Sequence, residues 1–188
     1  LPGPDGPGTP ALLARLRQAA RPVVLIDGGS GSGKTTLAEA LAPALVAQLV
    51  RLDDIYPGWD GLDSATLAVH DDVLAPLGPG WRRWDWVTGA AAEWHALDAT
   101  LPLVIEGSGC LSRANRASAT FGIWVELDAP TRKRRALARD GDSYAPHWDR
   151  WAAQERSFGL REHPWVVADV VLSDKDVMGL VDELASSV

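Results

Sequence analysis

The run Gly28-Gly29-Ser30-Gly31-Ser32-Gly33-Lys34-Thr35-Thr36 has the spacing G-x-x-x-x-G-K-[ST], glycines closed by an ammonium and two hydroxyls. Glycines reach backbone conformations closed to other residues, so successive N–H groups can turn inward on one anion. A helix opening near Lys34 adds the positive end of its dipole. Lys34 brings a mobile cation for the outer phosphates, and Thr35 offers a hydroxyl to Mg²⁺. The chemistry is the gripping of a nucleoside triphosphate. The loop alone leaves open whether the last phosphoryl group is hydrolysed or handed on.

Acids, arginines and aromatics follow at places that decide this. Asp53-Asp54-Ile55-Tyr56 ends the apolar segment 49–52. A carboxylate there can take the proton of a hydroxyl attacking the terminal phosphoryl group, or hold a Mg²⁺ water shell. Neighbours at a strand end point to opposite sides, so one of the two acids faces the nucleotide; Asp53 is favoured as the base with Asp54 as its auxiliary, alternation leaving the choice between them open, and Tyr56 is a substrate contact. Glu106 closes a strand that is otherwise apolar, where an unpartnered acid is costly. It is a candidate for the Mg²⁺ shell or the acceptor hydroxyl. Arg132, Arg135 and Arg139 recur three and four apart and stack on one helix face. Aimed at the loop, that face neutralises charge on the transferred group: Arg135 and Arg139 close over the phosphates and Arg132 reaches the acceptor. Trp84-Asp85-Trp86 suits a base stacked on Trp86 and a sugar hydroxyl bonded to Asp85, and Arg83 offers a hold for an anionic acceptor. His70, His95, His147 and His163 show no metal-ligand spacing.

Positioning these groups needs a strand before each loop. Val23-Val24-Leu25-Ile26, 49–52, 103–105, 121–127 and 166–172 read as strands, and 9–20, 34–48, 63–74, 90–97, 131–139, 146–158 and 174–185 as helices. Pro43 predicts a kink or early end to 34–48, Asp63 or Ser64 caps 63–74, and Ser173 caps 174–185. Trp94, Trp124, Trp148, Trp151 and Trp165 are assigned to packing. Alternating strands and helices give an α/β class: a three-layer α/β/α P-loop NTPase fold around a parallel, mostly five-stranded sheet.

A chain of 188 residues, 46% of them hydrophobic, can bury one core. One domain is expected over 11–188, behind a loose tail at 1–10 and with a lid near 131–147. The net charge of −7 disfavours a nucleic-acid partner. Cys110 is the single cysteine, which excludes an internal disulfide framework and a multi-cysteine zinc site and points to a reducing, cytoplasmic setting. No apolar run is long enough for a membrane span, no charged-then-apolar leader opens the chain, and the oligomeric state is not legible. A GTPase lacks support, since no Asn-Lys-x-Asp stretch occurs, and a motor-type ATPase lacks it because no strand ends in Asp-Glu.

Four separated stretches together give a resemblance. The chain resembles the uridine-cytidine kinase branch of phosphate-loop kinases. Asp53-Asp54-Ile55-Tyr56 is similar to that family's Asp-Ser-Phe-Tyr, whose first acid serves as base, and Glu106-Gly107 to its Phe-Glu-Gly. Thr131-Arg132, Arg135 and Arg139-Asp140 resemble its lid helix, and Ala168-Asp169-Val170 the start of its final strand. Its paired lid arginines stand here as Arg135-Ala136, and its His-Pro-x-x-Phe-Asp segment only as Trp84-Asp85-Trp86. The resemblance implies ATP and Mg²⁺ as cofactors and a small-molecule hydroxyl as acceptor. A nucleoside monophosphate kinase and a nucleotide-dependent switch are the alternatives.

Overall fold

The structure is a computed structural model describing residues 9–186, so the expected tail lies outside the described residues through Gly8. Its core strand, β1 (Val23–Asp27), is buried at every position. That is why it reads as an unbroken apolar run, the pattern of a parallel strand covered on both faces. With a period of two, Val24 and Ile26 pack with helices α1 (Thr9–Arg17), α2 (Lys34–Ala44) and α8 (Asp174–Ala185). Val23 and Leu25 pack on the opposite face with α3 (Leu62–Ala68) and α6 (Trp148–Glu162). Each such fully buried aliphatic side chain contributes roughly 1.5–3 kcal/mol.

Around β1 stand β2 (Gln48–Arg51), β5 (Leu103–Glu106), β6 (Phe121–Glu126) and β7 (Val170–Ser173), all parallel, in the order β2-β5-β1-β6-β7. This is the expected three-layer α/β/α arrangement. Register does the positioning: Ile26 and Arg51 both lie level with Glu106. The segments leaving β1, β2 and β5 therefore emerge together at the carboxyl edge, where open parallel sheets bind ligands. The remaining elements are a hairpin of β3 (Gly80–Asp85) and β4 (Ala90–Ala96), α5 (Ala129–Asp140), and the short α4 (Arg113–Ala117) and α7 (Pro164–Val167). Among the described residues no helix is long and apolar enough to cross a membrane.

Several expected boundaries move, each for a local reason. The segment 90–97 is a strand, not a helix. Asp85 accepts from the amides of Val87 and Thr88, Gly89 N–H donates to Asp85 O, and Gly89 takes φ +64, so a tight turn folds the alanine-rich run back on β3. Helix α2 ends at Ala44, one residue past Pro43, rather than near 48. Leu52 leaves β2 and opens a 3₁₀ turn, Leu52–Asp54, that carries the acids. Neither Asp63 nor Ser64 caps α3, whose cap position is Gly61; Asp63 instead pairs with Arg161 at 2.7 Å. The last strand begins only at Val170, because His163 in the left-handed region and Pro164 start a helical turn before it. Ser173 does cap α8, in a reciprocal box with Asp176.

Candidate active site

The loop between β1 and α2 is shaped by glycines at positive φ, of which Gly31 (φ +81) and Gly33 (φ +103) matter most. A side chain on Gly31 would run into the Arg132 carbonyl of α5, so only glycine lets that helix seat on the loop. Gly33 is the residue before α2, whose first turn carries no acid, leaving its amides free for an anion. Asp27 ties the loop's root to the segment after β5: its carboxylate accepts from Gly28 N (2.6 Å), Gly109 N (3.1 Å) and Leu111 N (2.8 Å). Burial pushes the Asp27 carboxyl up to about 6, against the pull of those amides and of Lys34.

Lys34, 8% exposed, donates from Nζ to Gly29 O at 3.2 Å. A cavity of about 30 Å³ lies in front of it, lined by Ser30, Gly31, Lys34, Thr35, Asp53, Glu106, Ser108, Arg139 and Trp151. Thr35 Oγ1 donates to Glu106 Oε1 at 3.1 Å. This hydroxyl and carboxylate suit a hard divalent cation whose other ligands come from phosphate and water. Among the described residues no group of three or more His, Cys, Asp or Glu side chains stands together as a metal site. Glu106 is 2% exposed, and burial raises its carboxyl above the usual 4.5. Its folded value lies above the unfolded one. The stability it lends is therefore full below about 4.5 and is lost as pH rises through the folded value. Glu106→Gln keeps an acceptor for Thr35, so the ligand-free variant is expected to melt no lower than wild type at pH 8, while Mg²⁺-dependent nucleotide binding falls at least about tenfold. Melting scans at pH 5 and 8 and nucleotide titrations with and without Mg²⁺ check both halves.

A larger cavity of about 390 Å³ adjoins the first and shares Ser30, Asp53, Arg139 and Trp151 with it. Its walls are aromatic: Tyr56, Trp59, Trp86, Tyr144 and Trp151. They brace one another. Trp59 stacks on Tyr144 (5.3 Å, 14°) and His147 (4.3 Å, 12°), and Tyr56 meets Trp151 edge-on at 4.6 Å. Tyr56 OH donates to Ser108 O at 2.8 Å, and Trp86 Nε1 to Asp53 O at 2.9 Å. The hairpin tip thus holds the backbone of the acid. The two cavities meet where Asp53 stands.

Other expected contacts are not brought to this place. Arg135 forms a two-pronged pair with Asp174 at 2.5 and 2.9 Å and lines neither cavity; the stacked arginine face splits, because Asp174 begins α8 beside it. Arg132 lies over the loop, donating to Ser30 O (3.1 Å), Leu127 O (3.2 Å) and Glu155 (3.0 Å), which makes it a brace rather than an acceptor contact. Arg83 is engaged by Glu93 across the hairpin, and Asp85 is committed to the turn amides. Asp54 is exposed and lies outside both cavities, its carboxyl raised by partial desolvation and by Asp53. Thr36, the third residue of α2, is exposed and lines neither. Of the arginines, Arg139 alone reaches both cavities, paired with Asp140 at 2.7 Å.

The sequence does not single out Trp59, Ser108 or Tyr144, marks Asp140 and Ser143 only as part of the expected lid, and gives Trp151 a packing place alone. Trp59 carried a signal, an aromatic in a turn just beyond the acids. Trp151 and Glu155, one helical turn apart on α6, carried none without the neighbours they meet.

No family model matches the chain. It is 31% identical over 175 residues to the cytidylate kinase of Pectobacterium atrosepticum, covering 87% of this chain and 65% of the relative, so it spans just under two thirds of that relative's length. Among solved structures, a possible uridine kinase from Bacillus stearothermophilus is similar with a TM-score of 0.56, 20% identity, and 86% and 98% of the two chains covered. A candidate fructose transport system kinase from Silicibacter sp. TM1040 gives a TM-score of 0.55, 21% identity, and 89% and 100% covered. Identities this low speak for the fold, and the fold of this chain is that of the phosphate-loop kinases.

Proposed function

We propose that this protein is a kinase that moves the γ-phosphoryl group of ATP to a hydroxyl of a small, nucleoside-like molecule. The observation that carries the reading is Asp53, a carboxylate lining both the cavity in front of Lys34 and the aromatic cavity beside it. An alcohol in the aromatic cavity would reach the phosphoryl group past Asp53, which takes its proton. Lys34 and the loop amides hold the outer phosphates, and Arg139 meets the charge that develops at the junction. Thr35, with Glu106 through water, would hold Mg²⁺, which when bound neutralises charge on the phosphate oxygens. The aromatic walls suit a flat ring, with few polar groups to fix its orientation.

The named relative favours a second reading, a nucleoside monophosphate as acceptor. The charge of the aromatic cavity weighs against it. Among the described residues lining it, Arg139 is the cation, and Asp53 and Asp140 are acids, whereas an acceptor phosphate calls for unpaired cations. A nucleotide switch would have no use for the second cavity. The test is ADP release from Mg·ATP with a panel of nucleosides, nucleoside monophosphates and sugars. Acceptance of a nucleoside over its monophosphate supports the reading; preference for the monophosphate replaces it with the second, and slow release indifferent to every acceptor with the switch.

The arginines supply a further prediction. Arg139→Ala is expected to lower turnover about 10–100-fold, while Arg135→Ala, which breaks an exposed pair worth at most about 1 kcal/mol, stays within about threefold of wild type. Steady-state rates of both variants with the best acceptor of the panel decide this.

A further inference from the structure

We infer that Glu155, which no motif marks, is a positioning residue for Lys34 and acts through the one peptide unit joining Gly29 to Ser30. On one side of that unit Ser30 N–H donates to Glu155 Oε1 at 2.6 Å. On the other, Gly29 O accepts from Lys34 Nζ at 3.2 Å and from Ser32 N at 3.1 Å. A trans peptide is planar with its N–H and C=O pointing in opposite directions, so whatever fixes the amide also aims the carbonyl. Glu155 is thereby connected to the ammonium without touching it.

The same carboxylate secures the next unit of the loop. Its Oε2 accepts from Arg132 Nη1 at 3.0 Å, and that nitrogen also donates to Ser30 O at 3.1 Å. Trp151 Nε1 donates to Oε1 at 3.1 Å, and Ser108 Oγ shares its one proton between Oε1 (3.1 Å) and Gly28 O (3.0 Å). A carboxylate beside a loop that grips anions would otherwise weaken it by repulsion; here Arg132 balances the charge and four donors hold the group still. Both ends of the chain of contacts are rigid, one on α6 and one at the start of α2. Without Glu155 the Gly29–Ser30 peptide is held on its carbonyl side alone, by Ser32 N, and the carbonyl that orients the lysine is less firmly aimed.

This inference rests on the phosphate-loop reading and is tested by binding, apart from any acceptor. Displacement of a fluorescent ADP analogue by Mg·ADP is measured for wild type, Glu155→Met, Glu155→Gln and Lys34→Ala, and for Lys34→Ala combined with Glu155→Met. Met fills the side-chain volume but accepts nothing, and is expected to weaken Mg·ADP at least about tenfold. Gln keeps an acceptor for Ser30 N–H and is expected to stay within about threefold, a rescue that a bulk packing role does not explain. In the Lys34→Ala background, Glu155→Met is expected to cost less than about twofold more. Equal losses in both backgrounds, or a Met variant that binds like wild type, overturn the inference. Should Glu155→Met not fold, Glu155→Ala, which likewise leaves Ser30 N–H without an acceptor, gives the same comparison in the two lysine backgrounds, with the same equal-loss result counting against the inference. A wild-type protein that fails to bind Mg·ADP at all removes the phosphate-loop reading instead.

Discussion

Asp53→Asn is expected to lower phosphorylation of the acceptor by about 10²–10⁴-fold, the range a general base contributes, while Mg·ATP binding stays within about threefold. Asn preserves the shape and the backbone that Trp86 Nε1 holds at Asp53 O, so the change removes a proton acceptor and little else. The split between kcat and binding is the informative feature. Loss of both together indicates that Asp53 organises the phosphate cavity through the metal, since the residue lines that cavity with Thr35 and Glu106. Single-turnover rates set beside nucleotide titrations make the comparison, and unchanged turnover takes Asp53 out of the reaction.

Lys34→Met carries the second large effect and a different pattern. The ammonium is buried beside Asp27 and Glu106, whose carboxyls it helps keep ionised. Removing it takes the cation from the outer phosphates and leaves two buried acids without their nearest positive charge. Turnover is expected to fall about 10²–10³-fold or more, and affinity for Mg·ATP with it. The acids then hold their protons to higher pH, so any residual binding is expected to decline more steeply between pH 6 and 8 than in wild type. Nucleotide titrations at those two pH values test this; a variant that binds Mg·ATP as wild type does contradicts the role given to the lysine.

How much of this was legible in the residues depended on whether the chemistry was local. The phosphate loop is contiguous, and its glycines, lysine and threonine mean the same thing on any strand-loop-helix. Glu106 stands out in the sequence because it ends an apolar strand, and Asp53 because it follows a short strand on the 3₁₀ turn Leu52–Asp54; parallel register sets the ends of those two strands level at one edge. Arg135 was misplaced since helical spacing gives a shared face but not what stands opposite; Asp174, from the far end of the chain, settles its direction. Trp59, Tyr144 and Trp151 come from three separate segments, and nothing in their own neighbourhoods says that they meet. The helix expected over 90–97 failed for the reverse reason, as alanine's preference yielded to a turn fixed by Asp85 and Gly89.

The account turns on where the terminal phosphoryl group lies, and a crystal structure with Mg·AMP-PNP measures that directly. The γ-phosphate is predicted about 3 Å from Lys34 Nζ, at the junction of the two cavities, with the Asp53 carboxylate facing it across the opening to the aromatic walls. A γ-phosphate directed to bulk solvent, with Asp53 turned from it, contradicts the account and leaves a protein that holds nucleotide without passing it on.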